Sequence, residues 1–303
     1  MRKHKEGEDM NYTISNEKLT LVVSSKGGEF QSVKDAEGQE YLWQGDAATW
    51  TDRGPNLFPY IGRMTEKSYK YQDTVYHMDI HGFLPYDEME LVEQKADSLT
   101  LRLVSSPETR KQYPFEFTLD ITWKLEGEKI TITYRVKNTD DKKMYFGIGG
   151  HPGFQIAPGH ARSEYSIALP DANPRHYLLL DAAGSGLADT SKSYPFNDAG
   201  NAYVPVTDTL FDKDALVFED GQLPSVGLVD ADKKPFVTLT CTDFPYVGIW
   251  SKPDGPYVCL EPWIGRTDNM DFTGDLAEKP GEQKLIANAE AVHTYTIEFH
   301  SSI

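Results

Sequence analysis

Along most of this chain apolar and polar residues alternate with a period of two, the pattern of half-buried β-strands. The clearest case is Phe115-Glu-Phe-Thr-Leu-Asp-Ile-Thr-Trp-Lys-Leu125. It sets Phe115, Phe117, Leu119, Ile121, Trp123 and Leu125 on one face and polar residues on the other. Glu126-Gly-Glu-Lys129 turns it into Ile130-Thr-Ile-Thr-Tyr-Arg-Val136, and after the polar turn Asn138 to Lys143 a further strand starts at Met144. The pattern predicts an antiparallel meander of three neighbours, the last of which ends at His151.

The same period recurs on both sides of this segment. Lys18 to Ser24 and Glu29 to Lys34 flank Gly27-Gly28 and read as a hairpin or bulged turn. Tyr41-Leu-Trp43 reads as a short strand, and Ser68 to Tyr71 with Val75 to Met78 as a second hairpin. Met89 to Val92 and Ser98 to Val104 continue the series, and Pro107 to Pro114 has room for one helical turn. From Pro158 to about Pro205 the signal weakens, leaving Tyr177-Leu-Leu-Leu180 as the strong apolar run. Strands resume at Ala215 to Phe218, Phe236 to Cys241, Tyr246 to Trp250, Tyr257 to Leu260 and Thr294 to Phe299. There is no helix of three turns, no repeat and no linker between two compositions. The expectation is an all-β chain: a charged, disordered tail over residues 1–10, then one large antiparallel β-sandwich domain over 11–303.

Composition narrows the partners. A chain of 303 residues with 39% hydrophobic and 12% aromatic content can bury a large core. Its formal charge of −17 disfavours nucleic acid and anionic membrane. No apolar run nears the ~20 residues that span a bilayer, and the charged N-terminus is unlike a signal peptide. The two cysteines, Cys241 and Cys259, lie in apolar strands, which suits buried thiols in a reduced compartment. A cytoplasmic protein of undetermined oligomeric state is expected.

Candidate chemistry gathers where the alternation breaks. Phe146-Gly-Ile-Gly-Gly-His151-Pro-Gly-Phe154 holds four glycines, a histidine and a proline in nine residues. It mounts His151 at a stiff strand end beside space that side chains leave open. A β-bulge around a hydrogen-bonded core histidine would give the same pattern. A second junction, Ile80-His81-Gly-Phe83, and a late carboxylate, Glu261 in Val258-Cys-Leu-Glu-Pro-Trp263, add two more polar groups. Asp52 to Arg63 is a loop without period that carries two prolines and two arginines. No phosphate loop, nucleophile elbow or His-Glu-x-x-His helix is present. His81 and His151 could ligate a metal, but each lies alone between glycines, so neither metal nor cofactor is expected. Two histidines and a carboxylate suit proton transfer between neutral oxygens, and aromatic faces suit a sugar. Glu261 reads as a base whose pKa burial raises, or alternatively as an ion-pair partner of Arg266.

Pro55-Asn-Leu-Phe-Pro-Tyr-Ile-Gly-Arg63, His81-Gly-Phe83, Gly149-Gly-His-Pro-Gly-Phe154 and Cys259-Leu-Glu-Pro-Trp263, in this order and spacing, resemble the aldose 1-epimerases, or galactose mutarotase-like proteins. Tyr41 to Asp46, Phe211 to Phe218 and Phe244 to Trp250 look like the lactose-operon-associated branch. The resemblance covers about Asn11 to Phe299. It implies a galactose mutarotase-like supersandwich that interconverts the α and β anomers of an aldose. By position it makes Glu261 the base on the anomeric hydroxyl and His151 the acid at the ring oxygen. Arg63 and His81 would hold sugar hydroxyls, and Asp214 matches a substrate-binding aspartate loosely. Gly62, Phe83 and Gly150 replace residues that many mutarotases carry, so galactose does not follow as the sugar. Two other readings remain open at this stage. One is a hexose-6-phosphate epimerase of the same superfamily, using Arg53, Arg63 or Arg266 on the phosphate. The other is a carbohydrate-binding protein without catalysis.

Overall fold

The computed structural model describes residues 10–180 and 184–300. The disordered tail expected over residues 1–10 lies, apart from Met10, outside the described residues. Strands pair antiparallel throughout, and two large sheets carry the architecture. The nine-stranded sheet runs Tyr203–Pro205, Ser166–Ala168, Ser225–Val229, Pro235–Thr240, Glu290–Phe299, Lys129–Asn138, Phe117–Glu126, Ser98–Val104, Glu90–Gln94. The eight-stranded sheet runs Tyr194–Pro195, His176–Leu179, Leu216–Phe218, Tyr246–Trp250, Tyr257–Ile264, Ile148–Gly150, Asn56–Leu57, with Gly153–Gln155 also paired to Tyr257–Ile264. A three-stranded sheet of Asn11–Ser15, Leu19–Ser24 and Phe30–Asp35 flanks them.

The alternation seen in the sequence is the burial pattern of the strands. Phe117, Leu119, Ile121, Trp123 and Leu125 are buried while Thr118, Asp120, Thr122 and Lys124 are not. Ile130, Ile132, Tyr134 and Val136 repeat this on the neighbouring strand. These side chains meet residues of the eight-stranded sheet in one apolar core. Full burial of side chains of this size stabilises by ~1.5–3 kcal/mol each. Polar contacts cross the sandwich as well: the Tyr134 hydroxyl donates to Asn56 Oδ1 at 2.7 Å, and Asn56 Nδ2 donates to the Gly27 and Gly28 carbonyls. That anchors the short strand Asn56–Leu57, which borders the site.

Both predicted hairpins form, at Leu19–Ser24 with Phe30–Asp35 and at Ser68–Tyr71 with Thr74–His77. Pro107–Arg110 forms the expected helical turn, closed by reciprocal bonds between Ser106 and Thr109. Tyr41-Leu-Trp43 makes no strand; it is tied by an isolated bridge between Leu42 and Phe154 and by the Tyr41 N–H, which donates to the Val33 carbonyl.

The three-strand meander is corrected. Phe117–Glu126 and Lys129–Asn138 are neighbours, but the next place in that sheet belongs to the C-terminal strand, paired from Lys129↔Glu298 to Lys137↔Glu290. Met144–Phe146 instead pairs with Gln283–Leu285, and Ile148–Gly150 joins the opposite sheet. Asn138 fixes the departure by donating to the Lys142 and Leu285 carbonyls. Period-two alternation specifies which face a residue takes, not which strand lies beside it.

Candidate active site

The strand Tyr257–Ile264 is buried at every residue, because it is central in its sheet and covered on both faces. Glu261 is its one charged side chain and is 1% exposed. On one side the strand pairs with Tyr246–Trp250, setting Glu261 opposite Gly248. On the other side two short strands share a single register, Gly149 opposite Trp263 and Gly153 opposite Cys259. The His151-Pro152 interruption between them therefore stands across from Glu261. His151 Nε2 lies 3.2 Å from Glu261 Oε2, with His151 itself 8% exposed. The His151 backbone N–H donates to the Pro55 carbonyl at 2.9 Å, so neighbours hold the residue on both sides.

The glycine before it is a matter of space. A Cβ on Gly150 would stand 2.5 Å from the Tyr295 hydroxyl of the opposite sheet. The core thus excludes an asparagine at this place as long as Tyr295 stays where it is. Gly62 is excluded from change for a similar reason, since its φ is +70° and its Cβ would meet Thr267 at 2.6 Å. Phe83, the third departure, is buried in the core against Phe58 and Phe117.

His81 adopts a left-handed φ of 66° and exchanges two hydrogen bonds with Gly62. Its backbone N–H donates to the Gly62 carbonyl at 3.0 Å, and the Gly62 N–H donates to His81 Nδ1 at 3.1 Å. Accepting at Nδ1 leaves the proton of the neutral ring on Nε2, as a donor. The ring stands edge-to-face on His151, centroids 5.6 Å apart at 86°. Arg63 follows directly on the loop, and its backbone is clamped by Thr267 and Asp268. Its side chain is exposed and packs along Gly186. Asp214, with φ +73°, is half-buried and near enough to influence Glu261. All five residues singled out in the sequence therefore fall in one neighbourhood.

Burial dominates the electrostatics. It pushes Glu261 well above the usual carboxylate range, and the negative Asp214 pushes it further. The Trp263 indole N–H acts weakly the other way without completing a hydrogen bond. Burial likewise holds His151 well below 6.5, and the adjacent His81 adds to this. His81 is lowered to about 4, by burial first and then by the Arg63 guanidinium. Yet His81 keeps some solvent contact. His151 Nδ1, Glu261 Oε2 and Trp263 Nε1 are buried without hydrogen-bond partners. Unpaired buried polar atoms cost stability, which makes a cluster of them on one site a functional signal.

Arg266 does not pair with Glu261. Its Nε donates to Glu219 Oε1 at 2.7 Å, and Nη1 donates to Asn269 and the Thr267 carbonyl. The strand carries Glu261 inward while the turn after Ile264 sends Arg266 to the Glu219 side. A concavity of ≈ 780 Å³ elsewhere contains another histidine and carboxylate, His160 and Glu164, but both are about half exposed and neither is desolvated.

Four contributors escaped the sequence reading as site residues. Trp50 stacks 5.0 Å from His151 at 32°, and Trp250 meets the same ring edge-on at 5.5 Å. Tyr257 packs on Trp50 at 5.3 Å, so aromatic rings wall the histidine. Cys259, expected as an ordinary buried thiol, points the same way as Glu261 two residues on. It is free, and with His151 and Glu261 it forms a set of ligand-type atoms all within 4.8 Å of one another. Alternation marked Trp250 and Cys259 as strand residues and could not show what they face.

Residues 10–263 match the aldose 1-epimerase family, and the chain belongs to it. It is 28% identical to the protein LacX, chromosomal, of Lactococcus lactis subsp. lactis over 297 residues, 95% of this chain and 99% of that one. A galactose mutarotase related enzyme of Lactobacillus acidophilus matches with a TM-score of 0.90 and 32% identity, over 96% of this chain and 98% of that one. A galactose mutarotase-like protein of Lactobacillus casei matches at 0.88 and 27%, over 96% and 100%. The galactose mutarotase-like fold follows from these matches. Among the described residues no helix is long and apolar enough to cross a membrane.

Proposed function

We propose that this protein is a cytoplasmic aldose 1-epimerase that interconverts the α and β anomers of a neutral aldose by acid–base ring opening. The observation that carries it is the buried His151–Glu261 pair at 3.2 Å with unpartnered polar atoms on both residues. Between them the two side chains hold one proton. With Glu261 ionised and His151 protonated, Glu261 takes the anomeric hydroxyl proton and His151 gives one to the ring oxygen. The C–O bond breaks, leaving the open aldehyde, a protonated Glu261 and a neutral His151. Burial favours this uncharged arrangement of the pair, while attraction at 3.2 Å favours the charged one. These terms oppose each other, and a relay used in both directions passes through both forms. Rotation about C1–C2 and reclosure run the same transfers backwards. His81, neutral with Nε2–H, and Arg63 bind hydroxyls. Asp214 completes the polar wall, and Trp50 and Trp250 border the acid.

The phosphate reading loses support from its arginines. Arg53 is spent on Gln44 and Gln31, with Nη1 donating to Gln31 Oε1 at 2.6 Å. Arg266 is buried with Glu219. Arg63 alone of the three has an exposed side chain left for substrate, beside His81. A binding role without catalysis gains nothing from two desolvated, facing titratable groups. The test is anomer exchange by NMR, run on neutral aldoses and on their 6-phosphates. Exchange of a neutral aldose above the buffer blank supports the proposal; exchange of phosphates alone, or of none, rejects it.

A further inference from the structure

Cys259 is left without a part in the mechanism above, although its neighbours have one. The strand places its sulfur on the Glu261 side, and the cross-strand register brings His151 over both. One nitrogen of His151, the sulfur of Cys259 and one oxygen of Glu261 lie within 4.8 Å of one another, all three residues buried. Among the described residues this is the one set of three His, Cys, Asp or Glu side chains that converges so. No hydrogen bond is completed to Glu261 Oε2, which lies 3.2 Å from His151 Nε2.

We propose that His151, Cys259 and Glu261 form a three-ligand site for a thiophilic divalent cation such as zinc, which on binding blocks the catalytic pair. The donor set decides the class of ion. One thiolate, one imidazole and one carboxylate match tetrahedral zinc or cobalt, with a fourth position open, whereas magnesium and calcium seek six or more oxygens. Tetrahedral angles at the bond lengths usual for zinc separate a nitrogen and an oxygen ligand by ~3.3 Å and either from sulfur by ~3.5 Å. The His151–Glu261 separation is 3.2 Å, so only the sulfur has to close in, by ~1.3 Å at most. As the metal–sulfur bond forms, the thiol proton passes to solvent, and imidazole and carboxylate bind without theirs. A metal so held occupies the base and the acid at once and excludes the sugar.

The metal-binding half of this stands apart from the proposed function, and only the inhibition rests on it. Cobalt(II) added to the full-length protein should bind one-to-one and produce a thiolate-to-cobalt charge-transfer absorption in the near ultraviolet. The band should survive in Cys241→Ser and vanish in Cys259→Ser. In case Cys259→Ser does not fold, Glu261→Gln serves as a second ligand variant. Each loss should weaken zinc binding in calorimetry by at least the ~10–100-fold that removal of an outer partner costs. Zinc should slow anomer exchange at least ~10-fold in competition with the sugar. EDTA should reverse this, and magnesium should have no effect. Absence of the band, or equal zinc affinity in Cys259→Ser, Glu261→Gln and wild type, overturns the site. So does exchange that EDTA abolishes and zinc restores, since the metal would then be an activator. A protein that shows the cobalt band yet exchanges no sugar retains the site and loses the proposed function.

Discussion

His151 and Glu261 face each other across a β-ladder, 3.2 Å apart, with His151 8% and Glu261 1% exposed. Among the described residues no arginine or lysine pairs with the carboxylate, and Arg266 is taken by Glu219. A buried carboxylate whose near neighbours are a neutral imidazole and Asp214 is poised to hold a proton or to take one.

Glu261→Gln is nearly isosteric and removes the base. Exchange is expected to fall ~10²–10⁴-fold, or ~3–5.5 kcal/mol of barrier, after subtraction of the buffer rate. Because Glu261 has no cationic partner to lose, thermal stability should stay level or rise. A folded variant with wild-type exchange would end the mechanism.

The histidines should differ in kind. His151→Asn keeps one donor but cannot hand over a proton, so exchange should drop by ~10²–10⁴-fold with little change in sugar affinity. His81→Asn should weaken binding as well as rate, because its Nε2–H is assigned to a hydroxyl. Small and equal effects from both would mark them as packing residues. NMR exchange and equilibrium binding on the same samples separate these outcomes.

Arg63 is exposed beside His81 and carries no proton in the reaction. Arg63→Ala should weaken sugar binding by ~1.5–3 kcal/mol, the range for hydrogen bonds to a charged group. An unchanged Kd in calorimetry would place the guanidinium outside the sugar site.

His81 also makes a statement about acid stability. Its pKa falls from 6.5 to about 4 on folding, burial being the larger cause and Arg63 the smaller. Below pH 6.5 the unfolded chain binds a proton that the folded chain refuses. The contribution is therefore complete above 6.5 and is lost as pH falls through about 4. Given partial solvent contact, it should amount to ~1–3 kcal/mol. Melting temperature against pH should fall more gently between these values in His81→Asn than in wild type; parallel curves would refute the shift.

The pair should give a bell-shaped pH–rate profile, since activity requires one proton shared by two groups. A second proton, going to a histidine held below 6.5, sets the acid limb, which should lie below that value. Removal of the last proton, from a glutamate held above 4.5, sets the alkaline limb. An acid limb of kcat/KM at or above 6.5 would contradict the burial of His151.

The sequence by itself determined the strands, their buried faces and the residues that break the pattern. Hydrophobic alternation is local, and so are the glycine and proline interruptions at His81 and His151. Phe117 to Leu125 reads the same in the chain and in the core. Motif order over four short stretches pointed to the family as well. What the tertiary structure alone decided was who faces whom. Alternation could not say that Glu290–Phe299, rather than Met144–Phe146, lies beside Lys129–Asn138. It could not take Arg266 away from Glu261 or bring Trp50 onto His151. Pairing across long loops depends on register and on volumes contributed by the opposite sheet, such as Tyr295 against Gly150. Those terms exist only once the two sheets have closed on each other, and they bring a histidine and a glutamate far apart in the chain to within 3.2 Å.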